Sequence, residues 1–225
     1  MVKILCVADH IDPLVYSTQV KQRFHDIDLV ISAGDLPMRY LGFIASSLNT
    51  PVVFVFGNHN NEEISVFCPS RHLPLEDVNS AAHHMRNRYG STCAEERVVR
   101  TKGLLIAGLG GSPRYNRGPH QFTEGQMRLR IAKLIPKLLW NRIRHGRYLD
   151  ILVTHAAPHG LQDGADKCHA GFTSFLWFMR WFRPRYLLHG HIHLYDRNAP
   201  RTTLYQDTTI INVYDHYVLE LSAGS

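Results

Sequence analysis

The 225-residue chain has only four cysteines, and no two of them form a C-x-x-C pair. Cys6, Cys68, Cys93 and Cys168 are scattered, which argues against a disulfide framework and points to a reducing, cytoplasmic setting. Long apolar runs are missing as well. No stretch reaches the ~20 residues that span a bilayer, and Arg180 interrupts the most apolar helical patch, residues 176–182, so no membrane partner is expected. The N-terminal apolar segment runs directly into Asp9 and reads as a strand rather than a secretion signal. There is no Pro/Gly/Ser-rich linker, repeat or charge block, so residues 1–225 read as one domain. Acidic residues are outnumbered 19 to 25, which gives a formal charge of +6. The densest basic zone, Lys133, Lys137, Arg142, Arg144 and Arg147, reads as the solvated face of a helix over 123–145 that Pro136 should kink, so a nucleic-acid partner is not favoured.

Five apolar runs of strand length each stop at a side chain able to bind metal. They are 4–8 before Asp9, 29–33 before Asp35, 52–56 before Asn58-His59, 151–154 before His155, and 186–189 before Gly190-His191-Ile192-His193. Continuous apolar runs suit strands buried on both faces. In such sheets, ligands bind at the carboxyl ends of the strands. Singly, Asp9 and Asp35 fit helix N-caps, and His155 fits a satisfied core histidine. Five such endings in one chain, with histidine at 15 of 225 positions, favour a shared site of oxygen and nitrogen donors.

The opening reads as strand 3–8, helix 15–25, strand 28–33, helix 38–48 and strand 51–56, a βαβαβ start with a parallel sheet. Residues 60–95 are polar and irregular. A hairpin around Thr101-Lys102 follows, then a Gly-rich turn, Gly108–Pro113. That turn lacks the Lys-Ser/Thr of a phosphate-cradling P-loop and reads as close packing beside the site, with Arg114 and Asn116 in reach of substrate. Strand 150–154, a helix near 171–182 and strand 185–189 come next. Candidate strands 202–205, 209–213 and 217–221 suggest a second, more antiparallel set. The loop 155–169 reads as a specificity element or a connector, with His159, Asp163 and His169 as contacts.

The ordered set Asp9, Gly34-Asp35, Gly57-Asn58-His59, His155 and Gly190-His191-Ile192-His193 resembles the calcineurin-like metallophosphoesterases, small single-domain bacterial type. The resemblance implies an α/β fold, a four-layer α/β/β/α sandwich with two mixed sheets. It implies two divalent metal ions (Mn, Fe, Ni or Zn) that hold a hydroxide and clamp a small phosphoester. Asp35 would bridge the ions, with Asn58, His155 and His191 on one, Asp9 and His193 on the other, and His59 as the acid for the leaving group. Two positions depart from the pattern. Ile11 stands where a histidine ligand is expected, which weakens the first metal site unless Asp12 swings in. Asn60 stands where a carboxylate usually orients the catalytic histidine, and Glu62 or Glu63 would have to substitute.

These features favour a metal-dependent phosphoesterase. The alternative is a non-catalytic scaffold of the same fold that docks a protein, which Ile11 and Asn60 motivate and His59 opposes. A nuclease or basic nucleic-acid binder ranks third, because the charge is diffuse.

Overall fold

The computed structural model describes residues 1–59, 90–196 and 200–221. Its first strand, β1 (Val2–Ala8), shows how the layers arise. Ile4, Cys6 and Ala8 point into one apolar cluster, and Leu5 and Val7 point into another. β2 (Leu29–Ser32) and β3 (Val52–Phe54) divide in the same way, with Ile31 and Val53 on one face and Val30 and Phe54 on the other. Successive side chains leave opposite faces of a strand, so a strand covered on both sides must be apolar throughout.

The first sheet has the order β13-β1-β2-β3-β4, where β4 is Ser91–Cys93 and β13 is Asp215–Leu221. β1 to β4 run parallel, and β13 is antiparallel to β1. The second sheet has the order β11-β12-β10-β9-β6-β5. Its members are β5 (Val98–Thr101), β6 (Leu104–Leu109), β9 (Ile151–Thr154), β10 (Tyr186–His189), β11 (Thr202–Tyr205) and β12 (Thr208–Asn212). A short parallel pair, β7 (Ser112–Pro113) with β8 (Gln121–Phe122), lies outside both sheets.

The sheets pack face to face, with Ile4, Ile31 and Val53 of the first against Ile106, Val153, Leu188 and Ile211 of the second. The helices α1 (Val20–Arg23) and α2 (Met38–Leu48) cover the outer face of the first sheet through Val20, Tyr40, Leu41 and Ile44. The outer face of the second is covered by α3 (Glu124–His145) and α4 (Thr173–Phe182), through Met127, Leu134, Phe175 and Phe178 among others. This is the four-layer mixed α/β sandwich expected from the sequence.

Several boundaries differ from the expectation. The helix over 15–25 shrinks to one turn, because Asp12 gathers the chain into turns: its carboxylate takes the Leu14 amide and its carbonyl takes those of Val15 and Tyr16. The hairpin turns at Lys102-Gly103, both in the left-handed region, one residue later than expected. β4 falls in a stretch expected to be irregular. The last three strands are not one antiparallel set: β12 runs parallel to β10, and β13 crosses to the other sheet. Alternation shows that such strands are half-buried but not which sheet receives them. α3 begins in a capping box of Thr123 and Gln126 and continues unbroken through Pro136.

One buried ion pair fastens α3 to the strand ends. Glu95 and Arg130 are both buried. Arg130 pairs with Glu95, donates to Glu96 at 2.8 Å, and donates to the Gly110 carbonyl at 2.7 Å. Glu95 also accepts from the amides of Gly110 (3.0 Å) and Phe56 (3.3 Å). Removing one partner of such a pair strands a buried charge. Arg130→Met should therefore cost about 3–5 kcal/mol in urea unfolding. Adding Glu95→Gln should recover part of that loss, and a double variant worse than Arg130→Met alone would contradict the account.

Candidate metal centre

The carboxyl ends of β1, β2, β3, β9 and β10 deliver Asp9, Asp35, Asn58-His59, His155 and His191 to one rim, because the parallel strands of both sheets end there. The backbone turns sharply at three of these residues, with positive φ at Asp9 (64°), Asp35 (55°) and His191 (65°). Left-handed conformations in residues other than glycine cost about 1–3 kcal/mol each and concentrate at functional sites. Two motif glycines make room for the acids. A Cβ on Gly57 would lie 1.9 Å from an Asp35 carboxylate oxygen, and one on Gly190 would lie 2.4 Å from an Asp9 carboxylate oxygen.

His155 is at the centre and is fully buried. Its Nε2 lies 3.2 Å from Asp35 Oδ2 and 3.1 Å from Asn58 Oδ1, and its Nδ1 lies 2.8 Å from the Ala33 carbonyl. The His191 ring stands 4.9 Å from the His155 ring, centroid to centroid. The ligating atoms of Asp35, His155 and His191 all lie within 4.8 Å of one another, close enough to hold one metal ion. Asp35 is fixed by the His59 amide, which donates to it at 2.9 Å. Asp9 accepts from the His191 amide with both oxygens at 3.0 Å, and its Oδ1 lies 4.0 Å from His155 Nδ1.

The electrostatics fit a cation. Burial pushes the Asp9 carboxyl up to about 7, against the pull of His155. Burial also acts to raise Asp35, but the charge of His155 and its hydrogen bond outweigh it and hold Asp35 well below the usual carboxylate range. For His155, burial lowers the pKa, yet the Asp35 carboxylate dominates and lifts it to about 9. His191 moves the other way, down to about 3, through burial and then the neighbouring charge of His155. A proton on His155 thus supplies the positive charge between the acids. A metal with a preference for N and O donors would take that role, and its binding near neutral pH would release the proton.

The remaining expected residues are not gathered into this cluster. His193 is exposed, stacked on Tyr214 with ring centroids 4.9 Å apart, and its Nδ1 is 3.3 Å from the Tyr195 hydroxyl. Asp12 is paired with His216, and Ile11 packs against the apolar cluster under α2. His10, beside Ile11 and outside the expected ligand set, pairs with Asp215 at 2.8 Å. Arg114 donates to Gln126 and to the Gln121 carbonyl, and Asn116 accepts from the Gly118 amide and the Gln121 side chain, so both build their own loop. His159 is exposed beside Asp163. Within the 155–169 loop, Asp163 takes the Gly171 amide, and His169 pairs with Asp166 while its ring stands 5.4 Å from that of His191. Asn60, Glu62 and Glu63 lie outside the described residues.

Two contacts at the site were not expected from the sequence. The Tyr115 hydroxyl accepts from Asn58 Nδ2 at 3.1 Å, which leaves the amide oxygen of Asn58 facing His155. The Cys168 carbonyl lies 2.8 Å from His191 Nε2. Tyr115 stands between the two loop residues that were expected to reach substrate, in a bend of the chain, and its hydroxyl rather than their side chains meets Asn58. A backbone carbonyl carries no sequence signal.

The model of the calcineurin-like phosphoesterase family matches residues 2–195. No curated protein matches the chain by sequence. Among solved structures, one crystal structure superimposes with a TM-score of 0.62 at 12% identity, over 96% of this chain and 94% of its own. TT1561 of Thermus thermophilus gives 0.57 at 13% identity, over 95% and 89%. Phosphopantetheinyl hydrolase from Mycobacterium tuberculosis gives 0.54 at 14% identity, over 94% and 88%. These likenesses concern the fold, whereas the family match extends over the motifs that end at the rim. With the histidine-carboxylate cluster in the place those motifs require, the chain belongs to the calcineurin-like phosphoesterase family.

Proposed function

We propose that this protein hydrolyses a small phosphoester with metal ions held at the rim of the sandwich. The observation that carries the reading is the cluster of Asp35, Asn58, His155 and His191, with His59 tied to Asp35 through its backbone amide. Divalent ions bound there would neutralise the phosphoryl charge and lower the pKa of water. In this reading Asp35 serves two ions, His155 and His191 offer neutral nitrogens, and Asn58 offers its oxygen, oriented by Tyr115. Asp9 and His193 would hold the other ion, although His193 rests on Tyr214 outside the cluster. His59, next to Asn58, donates a proton to the departing oxygen.

The second ion site is the weaker one. Ile11 offers no donor, and Asp12 is already engaged by the Leu14 amide and His216. The same residues motivate the non-catalytic alternative. The buried acids and the His59 link favour hydrolysis, because a docking scaffold has no need for either.

Turnover of phosphomono- and diesters with added Mn, Fe, Ni or Zn is the direct test. Exhaustive chelation should abolish hydrolysis, and full activity after it would remove the metal mechanism. Asp35→Ala should lower bound metal, measured by elemental analysis, more than any other single change at the rim. Unchanged stoichiometry would show that Asp35 is no shared ligand.

His59→Ala should act on the leaving group. An alkyl leaving group needs the acid, and its ester should slow by roughly 10²–10⁴-fold. A nitrophenyl leaving group departs without a proton, so its ester should slow far less. Equal losses on both esters would place His59 outside proton transfer.

A further inference from the structure

α3 carries two apolar stripes, and only one of them is buried. Met127, Ile131, Leu134 and Leu138 point into the core under the second sheet. On the opposite side Leu129, Ala132, Pro136, Trp140 and Ile143 repeat at spacings of three and four residues, and all five are exposed. Exposure reaches 80% at Ile143, 67% at Leu129 and 57% at Trp140. Lys133, Lys137 and Arg144 follow one edge of this outer stripe, and Arg128 and Arg142 follow the other. From residue 125 to 149 there is no Asp or Glu.

α4 extends the surface. Trp177 and Trp181 stand one turn apart, ring centroids 6.1 Å apart, and both are exposed. Ala132, Ile135, Leu176 and Trp177 line a groove between the two helices, with Arg128 and Arg180 beside them. α4 contains no acidic residue either.

We propose that this α3–α4 face docks on an anionic lipid surface. An amphipathic helix of this kind lies in the plane of the interface, apolar stripe in the headgroup boundary and basic flanks on the phosphates. Tryptophan rings suit that depth, and each nearby Lys or Arg adds attraction to an anionic leaflet. The charge pattern selects this occupant over others. A second copy related by two-fold symmetry would set the same basic flanks against each other. A nucleic-acid backbone would match the charge and leave the apolar stripe and the tryptophans in water. The protein lies on the surface rather than across it, since among the described residues no helix is long and apolar enough to span. From the sequence alone this basic face read as merely solvated and no membrane partner was expected; docking on lipid replaces both readings.

The test is sedimentation of the whole protein with vesicles of phosphatidylcholine alone and of phosphatidylcholine mixed with phosphatidylglycerol. It should bind the anionic vesicles, less tightly as salt rises, and leave the neutral ones. Lys137→Ala/Arg144→Ala should weaken that binding by roughly 30-fold. Trp140→Ser/Ile143→Ser should lose most of the bound fraction, with both variants keeping the wild-type circular dichroism. No binding to anionic vesicles would overturn the proposal, and so would binding that both variants retain. A dimer in solution that Trp140→Ser/Ile143→Ser dissolves, without vesicle binding, would assign the face to a second copy and overturn it as well.

Discussion

Two carboxylates buried at one rim impose the constraint that the site is built around. Asp9 and Asp35 come from neighbouring parallel strands, and both approach His155. Without a positive charge between them the arrangement is unfavourable, since burial penalises every ionised oxygen. His155 comes from the other sheet and brings that charge across the interface. The sandwich therefore closes on an electrostatic requirement as well as on its apolar core. Gly57 and Gly190 follow from it, because each gives up a side chain where an acid must pass.

The glutamate-arginine pair behind the rim serves a related purpose. Glu95 holds the Phe56 amide, one residue before Gly57, and the Gly110 amide in the glycine-rich turn. Arg130 then links both to α3. The loop that carries Asn58 and the loop that leads to Tyr115 are thus fixed to one helix. The glycine-rich turn read as close packing from its composition, and Gly110 shows why: a Cβ there would lie 2.1 Å from the Phe56 carbonyl.

Much of this was legible in the sequence. Strands buried on both faces announce themselves as unbroken apolar runs, and the side chain after each run marks the rim. The four-layer arrangement followed from the family resemblance rather than from the periodicity of the runs. What stayed hidden depended on partners far along the chain. Nothing near Asp12 reveals that His216 claims it, and nothing near Tyr115 reveals that Asn58 needs it. The exit of β13 to the first sheet is set by which edge is open, a property of the assembled sheet. From the sequence the outer side of α3 read only as a basic, solvated face, and its apolar stripe emerges once the burial of the opposite stripe is seen.

That crossing of β13 bears on how the chain is made. β13 closes the first sheet by pairing along the whole of β1, from Val2 opposite Leu221 to Ala8 opposite Asp215. During synthesis β1 leaves the ribosome before the other strands of its sheet, and its outer edge stays unpaired until β13 has followed. An open edge is a template for wrong pairings, and closure at such sequence separation is slow. A chaperone that shelters nascent strands would have its longest task here, at the segment that carries Asp9.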